Sequence, residues 1–221
     1  LAKLKKTDTI LLERHQLTSG TTWHAAGLIM QLRSTHTLTD LAKYNVELYS
    51  TLESETGIST GFKQNGTLGV ARTKDRLHET KTIASIAKSF NIEAEIISPL
   101  EAKKIYPTLN EQCIEGAIYI PKDGQTNPVD TTMSLISGAK KLGVSVQENT
   151  EVIDVKKLPN NSFSILTNNE EINCEKIVLA CGLWTRDFAA KLGINVPLYP
   201  AEHFYVVTEP TKDALKNLPV L

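Results

Sequence analysis

A short apolar strand that ends in an acidic residue is the feature that most constrains the fold. Residues 9–13 read Thr-Ile-Leu-Leu-Glu, and residues 1–6 before them have the apolar spacing and lysines of a last helical turn. In nucleotide-binding βαβ units, an acid at the tip of the second strand holds ribose hydroxyls, about 20 residues after a glycine-rich turn. That turn would precede Leu1, so we expect the chain to begin inside such a unit. A solvated strand-end acid is the alternative for Glu13.

The next segment, residues 17–28, surrounds a single imidazole with small residues. It reads Leu-Thr-Ser-Gly-Thr-Thr-Trp-His-Ala-Ala-Gly-Leu, and His24 is its reactive side chain. Glycine and alanine let a backbone approach a bulky, phosphate-bearing ligand closely. The segment therefore indicates a ligand site at the end of the first strand. A structural histidine packed beside Trp23 is the alternative.

Helical and strand patterns alternate at both ends of the chain, with hairpin-like strands between them. Apolar spacing, caps and glycine stops predict helices over 38–55, 77–90, 99 onward, 128–143 and 182–191. Strands are predicted over 116–120, 144–147, 151–156, 163–167, 177–181 and 203–208, and Asn65-Gly66 predicts a hairpin over 61–71. The fold class is α/β, a parallel sheet with a mainly antiparallel insertion.

Composition excludes several classes of protein. The formal charge of −1 over 221 residues gives no electrostatic footprint for nucleic acid. No apolar run reaches the roughly 20 residues of a membrane span. Three cysteines without a CxxC pair favour a reducing compartment over a disulfide framework, and no local motif indicates a metal site.

The strand and the histidine segment together resemble the sarcosine and dimethylglycine dehydrogenase family, within the D-amino-acid-oxidase-like flavoenzymes. Further similarities run in order along the whole chain: Glu55-Thr56-Gly57, Gln64-Asn65-Gly66, Ser98-Pro99 with Glu101, Tyr106-Pro107, Asp123-Gly124 with Pro128, residues 180–184 and residues 203–208. The Trp-His-Ala-Ala-Gly-Leu string at 23–28 is the most specific of them. The resemblance implies an incomplete Rossmann-like FAD-binding domain with an antiparallel substrate-domain insertion.

The resemblance also implies roles for individual residues. His24 would be bonded to the 8α-methyl of FAD, a bond that requires a neutral imidazole nitrogen. Tyr205 and His203, on one face of the predicted last strand, would stand on the substrate side. The residues implied to bind the cofactor are Glu13, Arg14, Thr21, Thr22, Trp23, His24, Ala25, Ala26, Gly27, Leu28, Val152, Gly182 and Trp184. An ordinary core position is the alternative for Val152 and for Trp184.

The activity implied is oxidative demethylation of an N-methyl amine such as sarcosine or dimethylglycine. Hydride transfer from the N-methyl carbon to flavin N5 would give an iminium, and electrons would pass to an electron-transfer flavoprotein or oxygen. Tetrahydrofolate would enter only through a C-terminal domain outside this chain. The expected compartment is the cytoplasm in a bacterium or the mitochondrial matrix in a eukaryote.

We expect residues 1–60 and 110–190 to form the FAD-binding part and residues 61–109 and 191–221 the substrate-side part. As a fragment of a longer enzyme, the chain would be inactive alone. Two alternatives remain open. One is another amine or amino-acid oxidase on the same fold, and the other is a non-enzymatic relative like the pyruvate dehydrogenase phosphatase regulatory subunit, which shares a string close to residues 201–205.

Overall fold

The computed structural model describes residues 1–209 and 216–221, which form two compact units. One unit comprises residues 1–23 and 139–209, and the other comprises residues 24–138 and 216–221. The α-helices are α1 His36–Thr56, α2 Lys74–Ser89, α3 Pro99–Ile105, α4 Pro128–Lys141 and α5 Thr185–Lys191. The strands are β1 Ile10–Leu12, β2 Leu28–Ile29, β3 Thr67–Ala71, β4 Glu95–Ile97, β5 Gly116–Ile120, β6 Gly124–Gln125, β7 Ser145–Gln147, β8 Val152–Lys157, β9 Phe163–Thr167 and β10 Glu171–Cys174.

The first unit contains a parallel strand pair and an antiparallel sheet. Strand β1 pairs with β7 in parallel, with Leu11 opposite Val146. Strands β8, β9 and β10 form a three-stranded antiparallel sheet with β9 in the centre. Residues 2–4 form a short 3₁₀ helix that leads to β1, and a second 3₁₀ turn, Gly182–Trp184, leads directly into α5. The mixed α/β class predicted from the sequence is confirmed.

The second unit is built on an antiparallel sheet in the order β3-β5-β4. Because side chains alternate along a strand, β5 faces two helices. Ala117 packs with Leu68, Ile97 and Ala102 on the α3 side. Ile118 and Ile120 pack with Ala87 and Ile92 on the α2 side. This unit also contains the short pair β2–β6, the long helix α1 and residues 128–138 of α4.

Local sequence signals set the helix ends. Ser98 and Glu101 form a reciprocal capping box with Pro99 at the first helical position of α3. Thr35 and Thr73 cap α1 and α2 through their side-chain oxygens. Helix α1 ends at Gly57, whose φ of 72° is the left-handed conformation that glycine adopts at low cost. The helices expected at these places are confirmed.

The predicted hairpin over 61–71 is wrong. Gly66 has the positive φ of 84° that its Asn-Gly turn predicts, but the residues on its two sides pair elsewhere. Lys63 bridges Gln125, and β3 pairs with β5. The turn signal is local, whereas the choice of partner strand depends on packing against residues about 50 positions later.

Two predicted strands are also corrected. Residues 177–181 and 203–208 have no strand assignment, and Val178 and Phe204 are 72% and 90% exposed. An apolar run becomes a strand only where a neighbour supplies hydrogen bonds and covers its side chains. Neither run pairs with a strand in the part of the chain that the structure describes. The expected common face of His203 and Tyr205 therefore has no strand to define it.

Candidate functional site

The carboxyl end of β1 carries the first predicted site residue. Glu13 extends the parallel pairing beyond β1, because its backbone nitrogen donates to the Gln147 carbonyl at 2.9 Å and its carbonyl accepts from Thr150 at 2.8 Å. Its half-buried carboxylate accepts a hydrogen bond from the backbone nitrogen of His15 at 2.9 Å. A carboxylate has about four lone-pair sites, so this one bond leaves capacity for ribose hydroxyls. Glu13 thus stands at a strand end, where nucleotide-binding acids stand.

The structure brings the Gly182–Trp184 turn onto the chain that follows Glu13. The Arg14 guanidinium carbon lies 4.6 Å from the centroid of the Trp184 ring. A Cβ added to Gly20 would stand 3.5 Å from the same ring, an ordinary van der Waals contact, so Gly20 lies against the indole edge. Three predicted cofactor-binding residues, Arg14, Gly182 and Trp184, are therefore close together, although about 170 residues separate Arg14 from the other two in sequence. Trp184 is 37% exposed, which is not the environment of a fully buried core tryptophan.

His24 lies at the end of a 3₁₀ turn, Thr22–His24. Trp23 is 57% exposed, and His24, Ala25 and Ala26 are exposed as well. The turn presents an imidazole beside two methyl-sized side chains and an indole. No bulky aliphatic side chain stands among residues 24–27, as the predicted contact with a flavin edge requires. The pairing of His24 with a flavin stays a prediction.

The chain after His24 is held tightly. Gly27 is buried with φ of 73°, and its carbonyl accepts from the Thr126 nitrogen at 2.8 Å. A Cβ at Gly27 would stand 2.2 Å from the Thr126 carbonyl oxygen, so only glycine fits. Strand β2 then pairs with β6, with Leu28 opposite Gln125. Gly27 and Leu28 are therefore the fixed end of the predicted site segment.

A buried polar pair, Asp123 and Gln31, follows this fixed end. We call the contacts of residues 27–31 with residues 123–126 the anchor. Asp123, 1% exposed, accepts two hydrogen bonds at Oδ1 from Gln31: one from the backbone nitrogen at 2.9 Å and one from Nε2 at 3.2 Å. Burial raises the pKa of Asp123, and the Gln31 hydrogen bonds and the Arg33 charge oppose that rise. Neither residue has a role predicted from the sequence. The only sequence feature here was the Asp123-Gly124 pair with Pro128, and it does not indicate that Gln31 is the hydrogen-bond partner of Asp123.

The remaining predicted residues are not brought together. Val152 begins β8, is half-buried and pairs with Thr167. Tyr205 is 56% exposed and His203 is exposed, both in an irregular segment. Thr21 is exposed and Thr22 half-buried. Roles for these residues stay predictions, and residues 210–215 of the expected substrate-side part lie outside the described residues.

Among residues 1–209 and 216–221, no three histidine, cysteine or carboxylate side chains are grouped so that they could hold a metal ion. Over the same residues, no helix is long and apolar enough to cross a membrane.

Comparison with known proteins gives one consistent family. The family described as FAD dependent oxidoreductase, DAO, matches residues 1–221. The chain is 39% identical over 220 residues to 4-methylaminobutanoate oxidase (formaldehyde-forming) of Paenarthrobacter nicotinovorans, covering 100% of this chain and 27% of that protein. It is 37% identical over 226 residues to mitochondrial sarcosine dehydrogenase of Mus musculus, covering 99% and 24%. The chain thus spans about a quarter of the length of these relatives.

The chain is also similar to a regulatory protein and to a solved structure. The mitochondrial pyruvate dehydrogenase phosphatase regulatory subunit of Mus musculus is 33% identical over 219 residues, covering 98% of this chain and 25% of that protein. Among solved structures, L-proline dehydrogenase from P. horikoshii superposes with a TM-score of 0.79 at 28% identity, covering 87% of this chain and 52% of that one.

Proposed function

The chain belongs to the DAO family of FAD-dependent oxidoreductases, and on that premise we propose that it forms part of an enzyme that oxidises an N-methyl amine such as sarcosine or dimethylglycine. The observation that carries this proposal is the exposed His24 turn, with Ala25 and Ala26 beside it and a glycine anchor behind it. The relatives named as 4-methylaminobutanoate oxidase and sarcosine dehydrogenase support the substrate class. FAD, when bound, supplies the acceptor for a hydride from the N-methyl carbon, which leaves the substrate as an iminium.

We assign Glu13 to the adenosine ribose, because its half-buried carboxylate stands at the carboxyl end of a parallel strand. Arg14 and Trp184 form one stacked surface, to which we assign the cofactor's phosphate-bearing part, since a guanidinium supplies fixed positive charge. Thr21 and Thr22 offer hydroxyls to the same part. Val152 and Gly182 are assigned a backbone role.

We assign His24 to covalent attachment. Its imidazole lies in an exposed 3₁₀ turn between Trp23 and Ala25, which is a surface that a flavin ring edge could reach. An imidazole nitrogen of His24 would hold FAD through its 8α-methyl carbon. One C–H and the imidazole N–H would be lost for the C–N bond formed, and dioxygen would accept the two protons and two electrons as hydrogen peroxide. The nucleophile in such an attachment is a neutral imidazole nitrogen.

Tyr205 and His203 are assigned to the substrate. An imidazole that accepts the proton of the substrate ammonium would leave the neutral amine, whose lone pair assists hydride loss, and a phenol would position the substrate through a hydrogen bond. Electrons would then leave to an electron-transfer flavoprotein or oxygen. Tetrahydrofolate would be used only by a further domain. We place the protein in the cytoplasm of a bacterium or the matrix of a mitochondrion.

The experiment uses the full-length protein that carries this sequence, purified with FAD. Acid precipitation should leave the flavin colour with the wild-type protein and release it from His24→Ala. His78→Ala, which changes an exposed histidine of α2, should keep the colour. Turnover of sarcosine, dimethylglycine and 4-methylaminobutanoate is then measured with a dye acceptor and with oxygen. Oxidation of 4-methylaminobutanoate but not of sarcosine or dimethylglycine would assign the protein to the methylaminobutanoate oxidases.

A regulatory protein is the second candidate, because the phosphatase regulatory subunit is 33% identical over nearly the whole chain. A purely regulatory role would not require oxidation of an N-methyl amine. Absence of both bound FAD and N-methyl amine oxidation would favour the regulatory candidate over the enzyme.

A further inference from the structure

We propose that Asp123 is a positioning residue for flavin attachment: through Gln31 it fixes the backbone that follows His24 and so aims the imidazole. The inference rests on the proposed tether at His24 and deepens it. It concerns the second unit, in which His24, Gln31 and Asp123 all lie.

Two hydrogen bonds join Gln31 to Asp123. One carboxylate oxygen of Asp123 accepts from both the backbone and the side chain of Gln31, at 2.9 Å and 3.2 Å. Two bonds from one residue fix both its position and its rotation. Gln31 is 8% exposed, and Asp123 is 1% exposed, so water competes weakly for these bonds. Gln31 is seven residues after His24.

The intervening chain has little freedom. Between Gln31 and His24, the β2–β6 pairing fixes Leu28 and Ile29, and the Thr126 nitrogen donates to the Gly27 carbonyl at 2.8 Å. Contacts at Gly27, Leu28, Ile29 and Gln31 therefore all go to residues 123–126. His24 is three residues from the nearest fixed carbonyl, so a shift of the anchor moves the imidazole.

Asp123 is itself held by backbone contacts next to the core of the second unit. Its carbonyl accepts from the Gly66 nitrogen at 2.9 Å, and Gly124 packs so closely on the Lys63 carbonyl that a Cβ there would stand 2.1 Å away. Asp123 also follows β5, whose Ile120 is 7% exposed. The rigid sheet β3-β5-β4 thus holds Asp123, and Asp123 holds the segment after His24.

Bond formation at an imidazole nitrogen depends steeply on placement, and a misplacement of about 1 Å can cost roughly 100-fold in rate. A surface histidine with a loose backbone would sample many orientations. The Asp123–Gln31 bonds restrict that sampling before the cofactor arrives. An Asn at 123 keeps an oxygen that can accept the same bonds, whereas an Ala removes the acceptor.

The test measures the first-order rate of covalent attachment in full-length apoprotein mixed with saturating FAD, read as protein-bound flavin after acid precipitation. Asp123→Ala should attach about tenfold or more slowly than wild type, while Asp123→Asn stays within about threefold. Gln31→Leu, which retains the backbone bond, should fall between them. Reversible FAD affinity before attachment should change little in all three.

A matched control separates positioning from general destabilisation. Ser134→Ala removes a fully buried hydroxyl that lies 2.6 Å from the Thr56 hydroxyl in the same unit. It should lower the melting temperature and leave the attachment rate unchanged. In the apoproteins, amide hydrogen exchange over residues 24–32 should rise in Asp123→Ala and not in Ser134→Ala.

Three results overturn the inference. Attachment by Asp123→Ala at the wild-type rate would contradict it while leaving the tether intact. An unchanged rate of amide hydrogen exchange over residues 24–32 in Asp123→Ala would also contradict the inference and leave the tether intact. Wild-type protein that binds FAD and never attaches it would contradict the tether and the inference together.

Discussion

The guanidinium of Arg14 stacks on the indole of Trp184, with its carbon 4.6 Å from the ring centroid. The stack joins the end of the β1 strand to the turn that begins α5, within one unit. Both residues are exposed at this surface, and the ring also lies over Gly20. A cation above an aromatic face is attracted by the ring quadrupole. The pair therefore fixes the Trp184 ring where the proposed cofactor surface needs it.

Arg14→Met should weaken this surface without changing the backbone. An exposed cation–π pair is worth about 0.5–1 kcal/mol, so we expect the free energy of unfolding to fall by about that much. Reversible FAD binding, measured in a His24→Ala background, should weaken about two- to fivefold. Arg186→Met is the control, because Arg186 lies on α5 and donates instead to the Leu198 carbonyl at 3.4 Å. Equal losses of FAD affinity in both variants would contradict a specific role for the stack.

Gly27→Ala should destabilise the second unit more than its backbone angle alone accounts for. Gly27 and Gly193 have the same φ of 73°, so alanine is strained by about 1–2 kcal/mol at either position. At Gly193 an added Cβ meets nothing within 4 Å, whereas at Gly27 it meets the Thr126 carbonyl oxygen at 2.2 Å. Overpacking against backbone adds about 1–3 kcal/mol. Urea unfolding of both variants measures the difference, and a Gly27→Ala cost no larger than that of Gly193→Ala would disprove the close approach.

The residues that the sequence predicts best are those whose environment is local. Ser98 and Glu101 form the predicted capping box because both partners lie within one helical turn. The small side chains of the His24 segment are likewise evident from its own residues. Residues 177–181 and 203–208 failed as strands because a strand depends on a neighbour that no local pattern specifies. The Asp123–Gln31 bonds were missed for the same reason, since 92 positions separate the two residues.

The capping box gives a pH-dependent prediction. Hydrogen bonds from the Ser98 backbone nitrogen at 2.8 Å and from its hydroxyl at 2.7 Å lower the pKa of Glu101 below its ordinary value. A lowered folded-state pKa contributes stability that is present above the unfolded-state pKa and is lost as pH falls through the folded-state pKa. Glu101→Gln keeps a capping side chain without the charge. Wild type should therefore exceed Glu101→Gln in unfolding free energy at pH 7, and the gap should close as pH falls below about 4. A gap that does not depend on pH would show that the charge is irrelevant.

Asp123 should show the opposite dependence on pH. Burial raises its pKa, against the hydrogen bonds of Gln31 and the charge of Arg33, so folding favours the protonated acid. Such a group contributes stability that is fully present below the unfolded-state pKa, about 3.9, and is lost as pH rises through the folded-state pKa. Asp123→Asn imitates the neutral acid at every pH.

The unfolding free energy of Asp123→Asn relative to wild type should therefore rise as pH increases from about 4 and level off above the raised folded-state pKa. Asp130→Asn, at an exposed acid in the first turn of α4, is the control and should not reproduce this rise. Chemical denaturation at a series of pH values measures both. A gap that falls with increasing pH would mean that the hydrogen bonds to the carboxylate outweigh its burial, and that Asp123 holds Gln31 as a fully charged acceptor.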